Sequence, residues 1–123
     1  MRKTLVSLVA TLALAAPACG GGGSTAGSPA AGGCTAATAT ALSGSLTTQN
    51  IAFHPTCFSI PAGSTITIEN KDGVTHTFTL NDGSVNQRLD AGTTQHVTAP
   101  ATAGTFAFHC SIHKVMTGTL ITT

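Results

Sequence analysis

From residue 61 onward, turn signals punctuate the chain every nine to eleven residues: PAG at 61–63, NKDG at 70–73, NDG at 81–83, DAG at 90–92 and APATAG at 99–104. Each interval has room for one strand of roughly five to seven residues, whereas an amphipathic helix needs about ten or more between its caps. The residues between the signals agree. Thr, Val, Ile and Phe recur in short runs, and no stretch sustains a 3.6-residue period. Two runs alternate with period two: in STITIEN, Ile66 and Ile68 share one face, and in GTFAFHC, Phe106 and Phe108 share a face that also takes Cys110. Strands are expected near 37–47, 51–60, 64–70, 75–80, 85–89, 94–98, 104–109 and 117–123. About eight short strands at this spacing indicate an all-β fold, an antiparallel sandwich or barrel. An α/β arrangement would need helices that the sequence does not offer.

The 123-residue chain holds at most one ordinary domain, and its start does not belong to it. Arg2 and Lys3 precede an uncharged apolar run over 4–16, too short for a comfortable membrane span, and Ala16-Pro17-Ala18 then leads to Cys19. Residues 1–18 are therefore expected to be a secretory signal. Ala-Pro-Ala fits ordinary signal peptidase. AAPAC followed by GGGGSTAGSPAAGG also resembles a bacterial lipoprotein signal with a flexible tether, although Ala16 stands where such signals usually carry Leu. The favoured expectation is lipidation at Cys19, a Gly/Ala/Ser-rich linker over 19–34 with no large apolar side chain, and a folded domain over 35–123. A domain of this size buries only about 60–65% of its unfolded surface, so a covalent staple would help it.

Charge excludes partners more than it identifies them. Beyond the signal, Lys71, Arg88 and Lys114 face Glu69, Asp72, Asp82 and Asp90, a formal balance of −1. No basic stripe exists for nucleic acid, and no charged patch is strong enough to steer a protein partner.

The chemistry lies near the C-terminus, in FHCSIHKVM at 108–116. Strand-like runs flank this segment, so it reads as a short inter-strand loop in which Cys110, His113 and Met116 can converge. A thiolate and a thioether select a soft metal, and one Cys, two His and a weak axial Met form the blue-copper ligand set. The second imidazole must come from elsewhere. His109 neighbours Cys110 and points to the opposite face of a strand. His96, in TTQHVTA, has nothing ligand-like beside it, and His54 precedes Pro55 in a packed or surface position. His76 opens the strand HTFTL at a sheet end, where it can reach the loop, and is the chosen ligand. With Cys19 lipidated and Cys110 on the metal, Cys34 and Cys57 remain to pair as a disulfide in an exported protein; free or differently paired thiols are the alternative.

Three motifs, PAG-x-TITIEN, D-G-x-x-HTFT and F-x-C-x-x-H-x-x-M-x-G-x-L, stand within the stretches AFHPTCFSIPAGSTITIENKDGVTHTFTL and GTFAFHCSIHKVMTGTLIT. They resemble the cupredoxin family, and the two-residue gap between His113 and Met116 is similar to that of amicyanin-like members. The resemblance implies a Greek-key β-sandwich binding one copper through His76, Cys110, His113 and a weak axial Met116. It also implies that the residue after the first His, Thr77 where many members have Asn, contributes to the network around the thiolate. His113 would sit at the sandwich end among apolar residues such as Ile112 and Val115, beside the more polar Lys114. The expected function is that of a monomeric, non-enzymatic one-electron carrier between redox protein partners. It would be exported, either tethered to the membrane by a lipid or free in the periplasm. Copper sequestration or delivery by the same ligands is the alternative. A copper enzyme would call for further His-rich sites, and His54, His96 and His109 form no obvious cluster.

Overall fold

A computed structural model describes residues 33–123. The expected signal, the lipid site at Cys19 and all but the last two residues of the 19–34 linker lie outside the described residues. Ten strands follow in order: β1 (Thr40–Ala41), β2 (Ser45–Thr48), β3 (Phe53–His54), β4 (Cys57–Ile60), β5 (Thr65–Asn70), β6 (His76–Leu80), β7 (Asn86–Leu89), β8 (Thr94–Thr98), β9 (Gly104–His109) and β10 (Thr117–Thr122). They form two sheets, β1-β4-β10-β9-β6-β7 and β3-β2-β5-β8, and no helix occurs among the described residues.

The strands expected over 37–47 and 51–60 each divide in two. β1 and β2 part around Ser43 and Gly44, and β3 and β4 part at Pro55, which follows a cis bond from His54 and has no N–H to give a ladder. Each division moves the chain between sheets, since β1 and β4 belong to the larger sheet and β2 and β3 to the smaller. A chain that changes sheets between successive strands brings distant strands side by side without forcing their directions to alternate. The sandwich expected from the sequence is therefore built of mixed sheets, with β1–β4, β4–β10 and β2–β5 pairing in parallel.

Period-two burial fills the space between the sheets. Ile66 and Ile68 of β5 face inward, as do His76, Phe78 and Leu80 of β6. Phe108 is the hub of an aromatic cluster, with ring centroids 4.9 Å from Phe78, 5.0 Å from Phe53 and 5.7 Å from Phe58. Phe78 lies two residues after His76, and Phe108 two residues before Cys110. The best-packed part of the core thus fixes the strands from which those two side chains project. Cys34 and Cys57 are joined by a disulfide that ties the beginning of the domain to β4.

Candidate metal centre

β6 and β9 are antiparallel neighbours in the larger sheet. His76 is the first residue of β6, and Cys110 follows the last residue of β9. The β9–β10 connection closes on itself, with Cys110 N–H donating to Met116 O at 2.9 Å and Met116 N–H donating to His113 O at 2.9 Å. The loop therefore holds Cys110, His113 and Met116 by its own backbone, and its closure sets them against the end of β6. Cys110, Met116 and His76 are buried, while His113 is half-buried at the rim.

His76 Nδ1 and His113 Nδ1 are 3.0 Å apart, and Cys110 Sγ lies 4.0 Å from the first and 3.9 Å from the second. A point equidistant from these atoms is about 2.1 Å from each, inside the roughly 2.0–2.3 Å at which imidazole nitrogen and thiolate sulfur bind a first-row metal. Among the described residues, His76, Cys110 and His113 are the group of metal-ligating side chains whose donor atoms converge in this way. Two imidazoles and a thiolate, with a buried methionine closing the same loop, match the donor chemistry of a copper site.

Backbone donors face the sulfur. Thr77 N–H points at Cys110 Sγ at 3.3 Å and His113 N–H at 3.4 Å, an arrangement that stabilises a thiolate. The Thr77 hydroxyl has a second role, accepting from Ser111 N–H at 2.7 Å while lying 3.1 Å from Thr79 Oγ1. One residue thereby bonds to Cys110 through its N–H and to the next loop residue through its side chain, which locks β6 to the loop.

The remaining ring nitrogen of His76 meets a group the sequence reading passed over. His76 Nε2 is 2.8 Å from Asp72 Oδ2. An ionised carboxylate only accepts, so this contact is a hydrogen bond when Nε2 carries a proton, and in the neutral ring that tautomer leaves the Nδ1 lone pair for a metal. Burial pushes Asp72 up, but hydrogen bonds from Ile51 N–H, His76 and Asn50 N–H outweigh it and hold the carboxyl below its ordinary range. In the sequence, Asp72 belongs to the turn signal NKDG and opens the D-G-x-x-HTFT motif four residues before the candidate ligand, but neither mark assigns it a partner.

The other histidines lie apart from this cluster. His109 Nδ1 meets Asn81 Oδ1 at 2.6 Å, exposed His96 meets Thr67 Oγ1 at 3.2 Å, and exposed His54 meets Gln49 O at 3.2 Å. Beside His113, Ile112 and Val115 stand 52% and 82% exposed, which leaves an apolar rim at the sandwich end.

A two-sheet sandwich carrying a cysteine–histidine–histidine cluster at one end defines a class, that of β-sandwich proteins with a metal-ligating loop. The comparison agrees: the family model for the cupredoxin-like domain matches residues 5–122, and the chain belongs to that family. No curated protein matches the chain. Among solved structures, a reduced variant of amicyanin is similar at 16% identity with a TM-score of 0.58, over 68% of this chain and 82% of that one. A purple cupredoxin from Nitrosopumilus maritimus is similar at 24% identity and a TM-score of 0.52, over 62% and 86%. A copper-containing nitrite reductase from Thermus scotoductus is similar at 22% identity and a TM-score of 0.56, over 64% of this chain but 22% of that one. At these identities the likeness is one of fold.

Proposed function

We propose that this chain is a type 1 blue copper protein that carries single electrons between redox proteins outside the cytoplasm. The observation that carries the reading is the triangle of buried His76 Nδ1, buried Cys110 Sγ and half-buried His113 Nδ1, with Met116 closing the loop beside it. Copper bound there would supply a one-electron couple between its divalent and monovalent states. The chain's contribution is to keep the donors still. His76 is held by its strand and by Asp72, Cys110 by two backbone N–H groups, and the loop by its own hydrogen bonds. Donors that do not rearrange between oxidation states keep the reorganisation accompanying each transfer small.

Electrons would pass through the half-buried edge of His113. The apolar rim of Ile112 and Val115 suits brief docking and quick release, and Lys114 biases the choice of partner. In this reading the protein acts as a monomer, is not an enzyme, and is tethered outside the cell membrane by a lipid on Cys19. Copper sequestration or delivery would use the same ligands, and metal transfer to a competing acceptor distinguishes it from electron exchange.

Copper(II) added to the protein should give an intense blue colour that Cys110→Ser abolishes while the fold is retained. A colourless wild-type complex with a tetragonal copper signal would overturn the reading.

A further inference from the structure

Asp72 gathers three donors on two oxygens. Its Oδ1 accepts from Asn50 N–H at 2.7 Å, and its Oδ2 accepts from Ile51 N–H at 3.0 Å and from His76 Nε2–H at 2.8 Å. Asn50 and Ile51 form the two-residue turn between β2 and β3, closed by a bond from Gln49 N–H to Ala52 O at 3.0 Å. Both have positive φ, 55° and 56°. Asn tolerates that conformation, but β-branched Ile strongly disfavours it, and a hairpin turn of this kind ordinarily takes Gly at the second position. The carboxylate satisfies both turn N–H groups, which helps to hold Ile51 there.

Asp72 is itself fixed from behind, because its N–H donates to Asn70 Oδ1 at 3.0 Å. Its side chain is 14% exposed and that of His76 is fully buried, so the pair is largely shielded from water. A negative charge this close to the candidate ligand, with little solvent to screen it, acts on whatever the imidazole binds.

We propose that Asp72 is the positioning residue of this site: it holds the His76 ring with Nδ1 toward Cys110 and His113, and its charge favours the more positive oxidation state of the bound metal. The second half rests on the copper reading above, whereas the first half does not. Asn cannot replace the carboxylate, since it brings one acceptor oxygen and an NH2 group to a place where three donors converge.

The test separates the turn from the ligand. Ile51→Gly places glycine at the left-handed position and makes the turn less dependent on the carboxylate, so Ile51→Gly/Asp72→Asn should melt near the wild type. In the metal-free full chain, long-range nitrogen-15 NMR should find the His76 ring proton on Nε2 in the wild type and divided between the two nitrogens in the double variant. With copper bound, the double variant should stay blue and lose about tenfold of its preference for copper(II), a rise of about 59 mV in reduction potential. A wild-type ring proton on Nδ1, or a double variant with the wild-type potential, would overturn the proposal. If the wild type binds no copper in a blue form, the carrier reading fails, and the ring-proton measurement still supports or overturns the positioning role.

Discussion

One amide side chain, that of Asn70, joins three segments beneath the candidate site. Its oxygen accepts from Thr48 Oγ1 at 2.8 Å and from Asp72 N–H at 3.0 Å, and its nitrogen donates to Val74 O, Leu89 O and Asp90 O at 2.8, 3.0 and 3.2 Å. The residue is 3% exposed, so water cannot readily replace these partners. Asn70→Ala should cost about 3 kcal/mol of stability in denaturant unfolding, and copper affinity should fall with it because Asp72 loses its backing. In the sequence Asn70 is legible as the last residue of the PAG-x-TITIEN motif and the first letter of a turn signal, but not as a buried junction. Turn composition marks where a chain bends, but it does not say which buried carbonyls an amide will meet. His76, by contrast, is legible from its place at the start of a strand, because such a position lies at a sheet end.

The hairpin of β9 and β10 is the element on which the site depends most, and Gly118 is its narrowest point. Gly118 stands opposite Phe108 in the ladder. A Cβ there would come 2.3 Å from Phe108 Cζ and 2.7 Å from the Thr56 carbonyl oxygen. Gly118→Ala must therefore displace the hub of the aromatic cluster or the backbone before β4. The expected loss is about 3 kcal/mol, read as a lower melting temperature, with a shifted copper absorption band because Phe108 lies two residues before Cys110. Gly118 belongs to the motif that carries the family resemblance, yet the ring it must admit becomes visible only when β9 and β10 are paired. The division of two expected strands has the same character. The strand expected over 51–60 runs through Pro55, and only the tertiary arrangement shows the chain breaking there to change sheets.

Over the whole molecule, a domain of about 90 residues has a small core relative to its surface. The Cys34–Cys57 disulfide closes a separation of 23 residues and fastens the beginning of the domain to β4, which pairs with both β1 and β10. Replacing both cysteines by Ser should lower unfolding free energy by about 3 kcal/mol and leave the copper spectrum in place, since the site is built from β6 and the β9–β10 loop. The sequence by itself determined the all-β class, the places where the chain turns from residue 61 onward, and the four residue types of the candidate site, because period-two burial and turn chemistry are local properties. The tertiary structure alone decided the mixed pairing of the sheets, the Phe cluster under His76 and Cys110, and the carboxylate behind His76. Each of these joins residues far apart in the chain or across a turn, and such contacts exist only once two sheets have packed face to face.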